Sequence, residues 1–219
     1  MFDFKNKKIL VLSPHTDDGE ISCGGTIARL LEKREGVECW WMIFSTCEES
    51  VPEGFPKNAL EIEARAATKT LGIKPEHLIM LHYPVRRFSE HRQDILEDMV
   101  RVNRQIHPDI VFMPGENDIH QDHFVIAREG KRAFKKTNML AYEEIWNDFH
   151  SEQTFLIGLE RRHIEAKIAA LQCYETQKNI RNYVTDDFVM SLARVRGVQT
   201  AQADVQFAEA FSVIRLLAV

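Results

Sequence analysis

The sequence of 219 residues carries 28 basic and 33 acidic side chains, a formal net charge of −5, and 44% hydrophobic residues. This length suits one α/β domain with a sizeable core, and the acidic balance without a basic tract argues against a nucleic-acid-binding protein. The four cysteines form no CxxC pair, and no apolar stretch is long enough for a signal peptide or a membrane span, so we expect a cytoplasmic protein.

Short apolar runs alternate with helical patterns along the first two thirds of the chain. We predict four strands, near residues 8–13, 37–44, 78–82 and 109–113. Helical patterns follow them at 26–31, 58–71, 89–106 and from 124 to about 136. Such alternation predicts a parallel, doubly wound sheet with helices on both faces.

The last third of the chain is less regular. We expect edge strands at 139–142 and 154–157, helices at 160–176 and 186–196, and either a helix or a strand at 207–217. No internal repeat, low-complexity tract or linker divides the sequence, which favours one domain over the whole chain.

Polar residues that can bind a metal follow the first predicted strand, where the chain turns into a helix. His15, Asp17 and Asp18 come directly after the apolar run 9–12, and ligand crevices of open α/β sheets form at this end of a strand. His15 and Asp18 can reach one cation from a tight turn, which leaves Asp17 free to accept a proton. The alternative is that the acidic side chains only cap the helix.

A second polar loop follows the fourth predicted strand and contains His120, Asp122 and His123. Because the carboxyl ends of parallel strands lie at one edge of a sheet, we expect the two loops to meet. Two histidines and one carboxylate with an open fourth position suit a catalytic zinc ion, and other first-row divalent metals can occupy such a set. Zinc would lower the pKa of a bound water to about 7, which favours a hydrolase.

Both motifs resemble those of the PIG-L/LmbE-like zinc-dependent N-deacetylases. The first family motif, HPDDxExGCGGT, is similar to residues 15–26, and the second, DxHxDH, is similar to residues 118–123. Three later segments extend the resemblance along most of the chain: 63–67, 167–177 and 208–211. The resemblance implies a single Rossmann-like, three-layer α/β domain over residues 1–219, with a mostly parallel sheet and the active site at the carboxyl ends of its strands.

The resemblance also implies a role for each motif residue. Three residues would hold zinc: His15, Asp18 and His123. Asp17 would be the general base that deprotonates the attacking water. His120 would stabilise the oxyanion and help the amine to leave, and Asp122 would hold the imidazole of His120 in position. Attack on an acetamide places negative charge on oxygen and requires a proton for the leaving amine, so these residue types suit the reaction.

The implied activity is removal of the acetyl group from an N-acetylated amino sugar of the N-acetylglucosaminyl type. Its substrates would be small molecules or lipid- or nucleotide-linked sugars, no nucleic-acid partner is expected, and a homo-oligomer is compatible with the sequence. Two alternatives stay open: a divalent-metal phosphoesterase that uses the same carboxylates, and a non-catalytic sugar-binding or assembly protein on the same fold.

The sequence departs from the family pattern at positions that are associated with substrate contact. Leu60 and Val85 stand where relatives often carry an arginine and an aspartate, and Thr16 replaces the proline of the first motif. Three basic residues follow Val85 closely: Arg86, Arg87 and Arg92. We hypothesise that these arginines bind an anionic part of the substrate, such as a phosphate or a uronate. A solvated surface or an intersubunit salt-bridge patch is the alternative.

Overall fold

Among the residues that the structure describes, seven strands form one sheet. They are β1 (Lys8–Ser13), β2 (Glu38–Ile43), β3 (Leu78–Met80), β4 (Ile110–Pro114), β5 (Asn138–Tyr142), β6 (Phe155–Leu159) and β7 (Phe207–Arg215). The order across the sheet is β3-β2-β1-β4-β5-β7-β6; β7 pairs antiparallel with both β5 and β6, and the other neighbouring strands pair in parallel. The structure is a computed structural model and describes residues 3–33, 35–150, 152–178 and 180–218.

Six α-helices cover the two faces of this sheet within the described ranges. They are α1 (Asp18–Glu32), α2 (Ala59–Thr70), α3 (Arg92–Ile106), α4 (Gln121–Ala133), α5 (Arg161–Leu171) and α6 (Asp186–Gln199). One apolar cluster packs α1, α2, α5 and α6 on one face, and a second packs α3 and α4 on the other. None of these helices combines the length and hydrophobicity that a bilayer crossing requires.

Strand β1 lies in the middle of the sheet and is buried on both faces. Ile9 and Val11 belong to the first apolar cluster, whereas Leu10 and Leu12 belong to the second. Alternate side chains of a strand point to opposite faces, so a central parallel strand needs an unbroken apolar run. The three-layer α/β arrangement expected from the sequence is therefore confirmed.

The expectation of an edge strand at 139–142 is wrong, although the strand itself is present. Strand β5 pairs with β4 on one side and with β7 on the other, so it lies inside the sheet. The segment 207–217, for which the sequence left helix and strand open, contains β7. This strand covers the edge that β5 would otherwise expose, and β6 is the edge strand on that side of the sheet. A short apolar run does not reveal which strand pairs with it, and this caused the error.

Two helix ends in the last third of the chain also differ from the expectation, as do the starts of α1, α3 and α4 earlier in the chain. Helix α5 ends at Leu171, so residues 172–178 and 180–184 form a non-helical segment before α6, apart from a short 3₁₀ turn at Asn182–Val184. Helix α6 continues past Gly197 to Gln199. A Cβ atom at Gly197 would lie 2.2 Å from the carbonyl oxygen of Gln206, so this glycine permits close packing of the helix on the chain that enters β7.

Candidate functional site

The two polar motifs meet at the carboxyl edge of the sheet because β1 and β4 are parallel neighbours. His15 follows β1 and Asp18 begins α1, while His123 lies in the first turn of α4 after β4. All three side chains are buried, and His123 is only 2% exposed. The predicted convergence of two loops about a hundred residues apart is therefore observed.

Three potential ligand atoms form a nearly equilateral triangle. Nδ1 of His15 lies 3.1 Å from Nε2 of His123, and Oδ2 of Asp18 lies 3.2 Å from the first nitrogen and 3.3 Å from the second. Ligands at about 2.0–2.1 Å from a tetrahedral zinc ion would lie about 3.3–3.4 Å apart, so these separations fit a shared metal ion. Two overlapping groups, His15/His120/His123 and Asp18/His123/Glu144, also have ligand atoms close enough to hold one metal ion, and the triangle combines residues of both.

Each histidine of this triangle is oriented by a buried carboxylate on its other ring nitrogen. Oδ2 of Asp122 lies 3.0 Å from Nε2 of His15, and Oδ2 of Asp118 lies 2.7 Å from Nδ1 of His123. Metal-binding histidines commonly have such a partner, which fixes the tautomer and leaves the inner nitrogen as an acceptor. The Asp118 side chain also orders its own loop, because Oδ1 accepts the backbone N–H of His120 at 2.8 Å.

The expected role of Asp122 in holding the imidazole of His120 is wrong. The Asp122 carboxylate lies on His15 and also accepts the backbone N–H groups of Arg86 and Phe88. It is the backbone N–H of Asp122 that donates to Nδ1 of His120, at 3.2 Å. His120 is the N-cap of α4, which places its ring against the first N–H groups of the helix, whereas the Asp122 side chain points towards β1.

Asp17 and His120 lie beside the triangle and border the same cavity. Burial and the neighbouring Asp18 charge raise the pKa of Asp17 to about 6, which suits a carboxylate that exchanges a proton near neutral pH. Burial and the nearby His15 and His123 rings lower the pKa of His120 to about 4. The neutral His120 ring accepts at Nδ1, so its proton is assigned to Nε2, where it can be donated.

Glu144 belongs to the site but was missed by the sequence analysis. Its carboxyl group is buried 3.4 Å from Nδ1 of His123 and accepts hydrogen bonds from Ser22 and Asn147. Burial raises its pKa well above the usual value for glutamate. The residue follows β5 at the carboxyl edge, so recognising β5 as an interior parallel strand would have pointed to it.

A cavity of about 240 Å³ opens over the triangle. Besides the motif residues, its walls contain a group of polar and aromatic side chains: Ser50, Arg86, Trp146, Asn147, Gln177, Arg181 and Tyr183. Most of them come from the loops after β5 and after α5, for which the sequence showed no functional signal. The site is therefore built from more of the chain than its two motifs.

The structure does not bring the three expected arginines together at this cavity. Arg86 borders it, with its backbone in the left-handed region at a φ of 68°. Arg92 instead pairs with Glu129 at 3.0 Å in a neighbouring groove between α3 and α4, and Arg87 is exposed and is not a wall residue. The expectation of one anion-binding cluster is therefore wrong, because the chain turns sharply at Arg86 and α3 carries Arg92 away.

A protein-family model described as PIG-L, GlcNAc-PI de-N-acetylase, matches residues 10–134. This range includes both motifs and strands β1 to β4, apart from the first two residues of β1. The match therefore covers more than half of the chain.

Two curated proteins are similar over most of their own length. An uncharacterized deacetylase of Escherichia coli K12, YaiS, is 28% identical over 182 residues, which cover 78% of this chain and 92% of that protein. The diacetylchitobiose deacetylase of Thermococcus kodakarensis is 26% identical over 212 residues, which cover 93% of this chain and 71% of that protein. The similarity thus extends well beyond the two motifs.

Solved structures share the fold at lower identity. The N,N'-diacetylchitobiose deacetylase from Pyrococcus horikoshii, complexed with an inhibitor, superposes with a TM-score of 0.78 at 20% identity over 97% of this chain and 87% of that chain. GalB, a 4-carboxy-2-hydroxymuconate hydratase from Pseudomonas putida, has a TM-score of 0.76 at 19% identity over 97% and 98% of the two chains. A hydratase and a deacetylase therefore share this fold, and the reaction must be argued from the site.

Proposed function

This chain is a deacetylase of the PIG-L family, and we propose that it is a zinc hydrolase that removes the acetyl group from an N-acetylated amino sugar. The observation that carries the proposal is the triangle of His15, Asp18 and His123, with Asp17 and His120 beside it in one cavity. The similarity to diacetylchitobiose deacetylase supports an N-acetylglucosaminyl group as the part of the substrate that reacts.

We assign His15, Asp18 and His123 as the zinc ligands. The outer nitrogens of both histidines are held by buried carboxylates, so the inner nitrogens face one point without a proton. A bound zinc ion would supply Lewis-acid polarisation and lower the pKa of a water to about 7. Other first-row divalent metals fit the same donors, and the metal is identified by analysis of the purified protein.

Asp17 and His120 carry the proton and charge transfers of the proposed reaction. Asp17 follows His15 closely and is not needed as a ligand, so its carboxylate can accept the proton of the attacking water. The Nε2–H of His120 can donate a hydrogen bond to the oxyanion that forms on the acetyl oxygen. The amine needs a proton to leave, and His120 or the protonated Asp17 can deliver it.

Acetate release from a panel of N-acetyl sugars tests the proposal. The zinc-loaded protein should release acetate from N-acetylglucosamine or N,N'-diacetylchitobiose, and a chelator should abolish the release until zinc is restored. Release of phosphate from phosphate esters without acetate would favour the phosphoesterase alternative. Tight sugar binding by the zinc-loaded protein with no release from any compound would favour the non-catalytic alternative.

A further inference from the structure

The cavity wall carries two arginines that form no ion pair within the described part of the chain. Arg86 and Arg181 both border the cavity, and within the described ranges neither guanidinium lies at ion-pair distance from an acidic side chain. By contrast, Arg92 and Arg132 both pair with Glu129. The one side-chain hydrogen bond found for the Arg86 guanidinium in the described part of the chain is to Oγ of Ser50, at 3.3 Å, which leaves most of its donors available.

Asp18 and Glu144, two of the three acidic residues of the same cavity, are already engaged by other partners, and the third, Asp17, is half-buried and forms no ion pair with either arginine within the described residues. Oδ2 of Asp18 lies between the ring nitrogens of His15 and His123, and Glu144 contacts His123. The two arginines therefore keep guanidinium donors available at the mouth of the cavity. Available guanidinium donors favour an incoming ligand that carries its own negative group.

The segment that carries Arg181 is anchored although it is not helical. The hydroxyl of Tyr174 donates to the carbonyl oxygen of Thr16 at 2.5 Å, which ties the segment to the first motif. Thr176 donates its N–H and its hydroxyl to the buried carboxylate of Glu63, at 3.0 and 2.6 Å. The segment is thus fixed to α2 and to the loop after β1 before it reaches the cavity.

Two aromatic rings form the wall beside Arg181. The rings of Trp146 and Tyr183 stack with centroids 4.0 Å apart and an interplanar angle of 9°. The guanidinium carbon of Arg181 lies 5.9 Å from the centroid of the Tyr183 ring, a distance at which a cation–π contact limits side-chain motion. The wall therefore combines an apolar surface with a positioned donor, as small-molecule sites commonly do.

We propose that Arg181, together with Arg86, binds an anionic group of the substrate, a phosphate or a carboxylate, while Trp146 and Tyr183 form the apolar wall for its sugar. The planar guanidinium fork of arginine matches both anions with two parallel hydrogen bonds. The inference rests on the proposed deacetylation, since it names the substrate class of that same cavity. It replaces the sequence-based cluster of Arg86, Arg87 and Arg92 with a pair drawn from two distant loops.

Kinetics on matched sugars test the proposal. The zinc-loaded protein is assayed for acetate release from a neutral N-acetylglucosamine glycoside and from its phosphate- and carboxylate-bearing derivatives. Arg181→Met should raise KM about tenfold for the anionic substrates with little change in kcat, because a charge-assisted hydrogen bond is lost. Arg181→Lys should restore part of the affinity for the anionic substrates. Arg87→Met, which alters an exposed arginine outside the cavity wall, is the control and should leave KM and kcat unchanged.

Binding of the deacetylated sugars, which are not turned over, separates this inference from the proposed function. Calorimetry should show tighter binding of the anionic products than of the neutral product, and Arg181→Met should remove the difference. Two outcomes would overturn the proposal. One is equal binding of the neutral and anionic products. The other is a loss of affinity in Arg181→Met that is the same for the neutral, the phosphate-bearing and the carboxylate-bearing product. If no acetate were released but the protein still bound anionic products more tightly, and lost that preference in Arg181→Met, only the proposed reaction would be overturned.

Discussion

Oδ2 of Asp122 lies 3.0 Å from Nε2 of His15, which stands 107 residues earlier in the chain. The contact joins the two motifs directly and assigns Asp122 to a histidine of the metal triangle rather than to His120. Asp122→Asn should therefore weaken metal affinity by about 10- to 100-fold, since the orienting carboxylate of a metal-binding histidine is lost. Competition with a chelator measures the effect.

The corresponding change at Asp118 provides the comparison. Asp118→Asn removes the carboxylate on His123 and should weaken metal affinity to a similar extent. If the Asp122→Asn protein lost activity but bound metal as tightly as the wild type, the assignment would be contradicted. Asp122 would then be assigned to holding the imidazole of His120.

Substitution of Asp17 should separate catalysis from metal binding. Asp17→Asn should retain the metal, because the triangle of ligand atoms does not include Asp17, and should lower kcat by about 10²- to 10⁴-fold through loss of the general base. Metal content and acetate release are measured on the same preparation. His123→Ala is the matched comparison and should lose the metal itself; the opposite pattern would mean that Asp17 is a ligand.

A buried ion pair links the late part of the chain to α1. Nζ of Lys167 lies 2.8 Å from Oε1 of Glu209, whose carboxylate also accepts the backbone N–H groups of Gly25 and Thr26. Lys167→Met should lower the free energy of unfolding by about 3–5 kcal/mol, because it leaves a buried charge without its cation. Urea denaturation measures the loss.

A double substitution checks the reason for that loss. Lys167→Met combined with Glu209→Gln removes both charges and should be more stable than Lys167→Met alone. If the double variant were less stable by the sum of both single effects, packing rather than the unpaired charge would explain the loss.

Glu20 should make the stability of the protein depend on pH. Its side chain is fully buried, Oε2 has no hydrogen-bond partner among the described residues, and burial raises the pKa of the carboxyl group well above its usual value of 4.5. As pH rises above about 4.5, the unfolded chain releases this proton while the folded chain retains it, so the wild type loses stability relative to Glu20→Gln.

The measurement is the difference in unfolding free energy between the two proteins, with the metal chelated. The advantage of Glu20→Gln should be smallest near pH 4.5 and should grow towards pH 7–8. A difference that does not change with pH would mean that Glu20 has the same pKa in the folded and unfolded chains.

Much of the fold could be predicted because local pattern and global position agree in the first part of the chain. The apolar run 9–12 indicates a central strand, since a strand covered on both faces must be apolar at every position. The pattern at 139–142 favours an edge strand, because its partner in the sheet, β7, lies about 70 residues later in the chain. Pairing between distant segments leaves no mark in a short window of sequence.

The residues that meet at the carboxyl edge of the sheet could be predicted from the sequence. His15, Asp18 and His123 follow strands β1 and β4, and parallel strands place their ends together. Residue type and topology are enough to predict that the two motifs meet at one metal site, whereas the resemblance to the PIG-L/LmbE-like family is what distinguishes His123 from His120 as the expected ligand.

The contacts between individual atoms follow from the tertiary structure alone. In the folded chain the Asp122 carboxylate contacts His15, and Glu144 and Arg181 line the cavity. Arg92 lies outside the cavity and pairs with Glu129. These relationships depend on side-chain direction and on how loops from distant parts of the chain pack, and both vary freely among sequences with the same pattern of strands and helices. For that reason the reaction type is evident in the sequence, whereas the residues that orient the ligands and line the cavity are evident only in the folded chain.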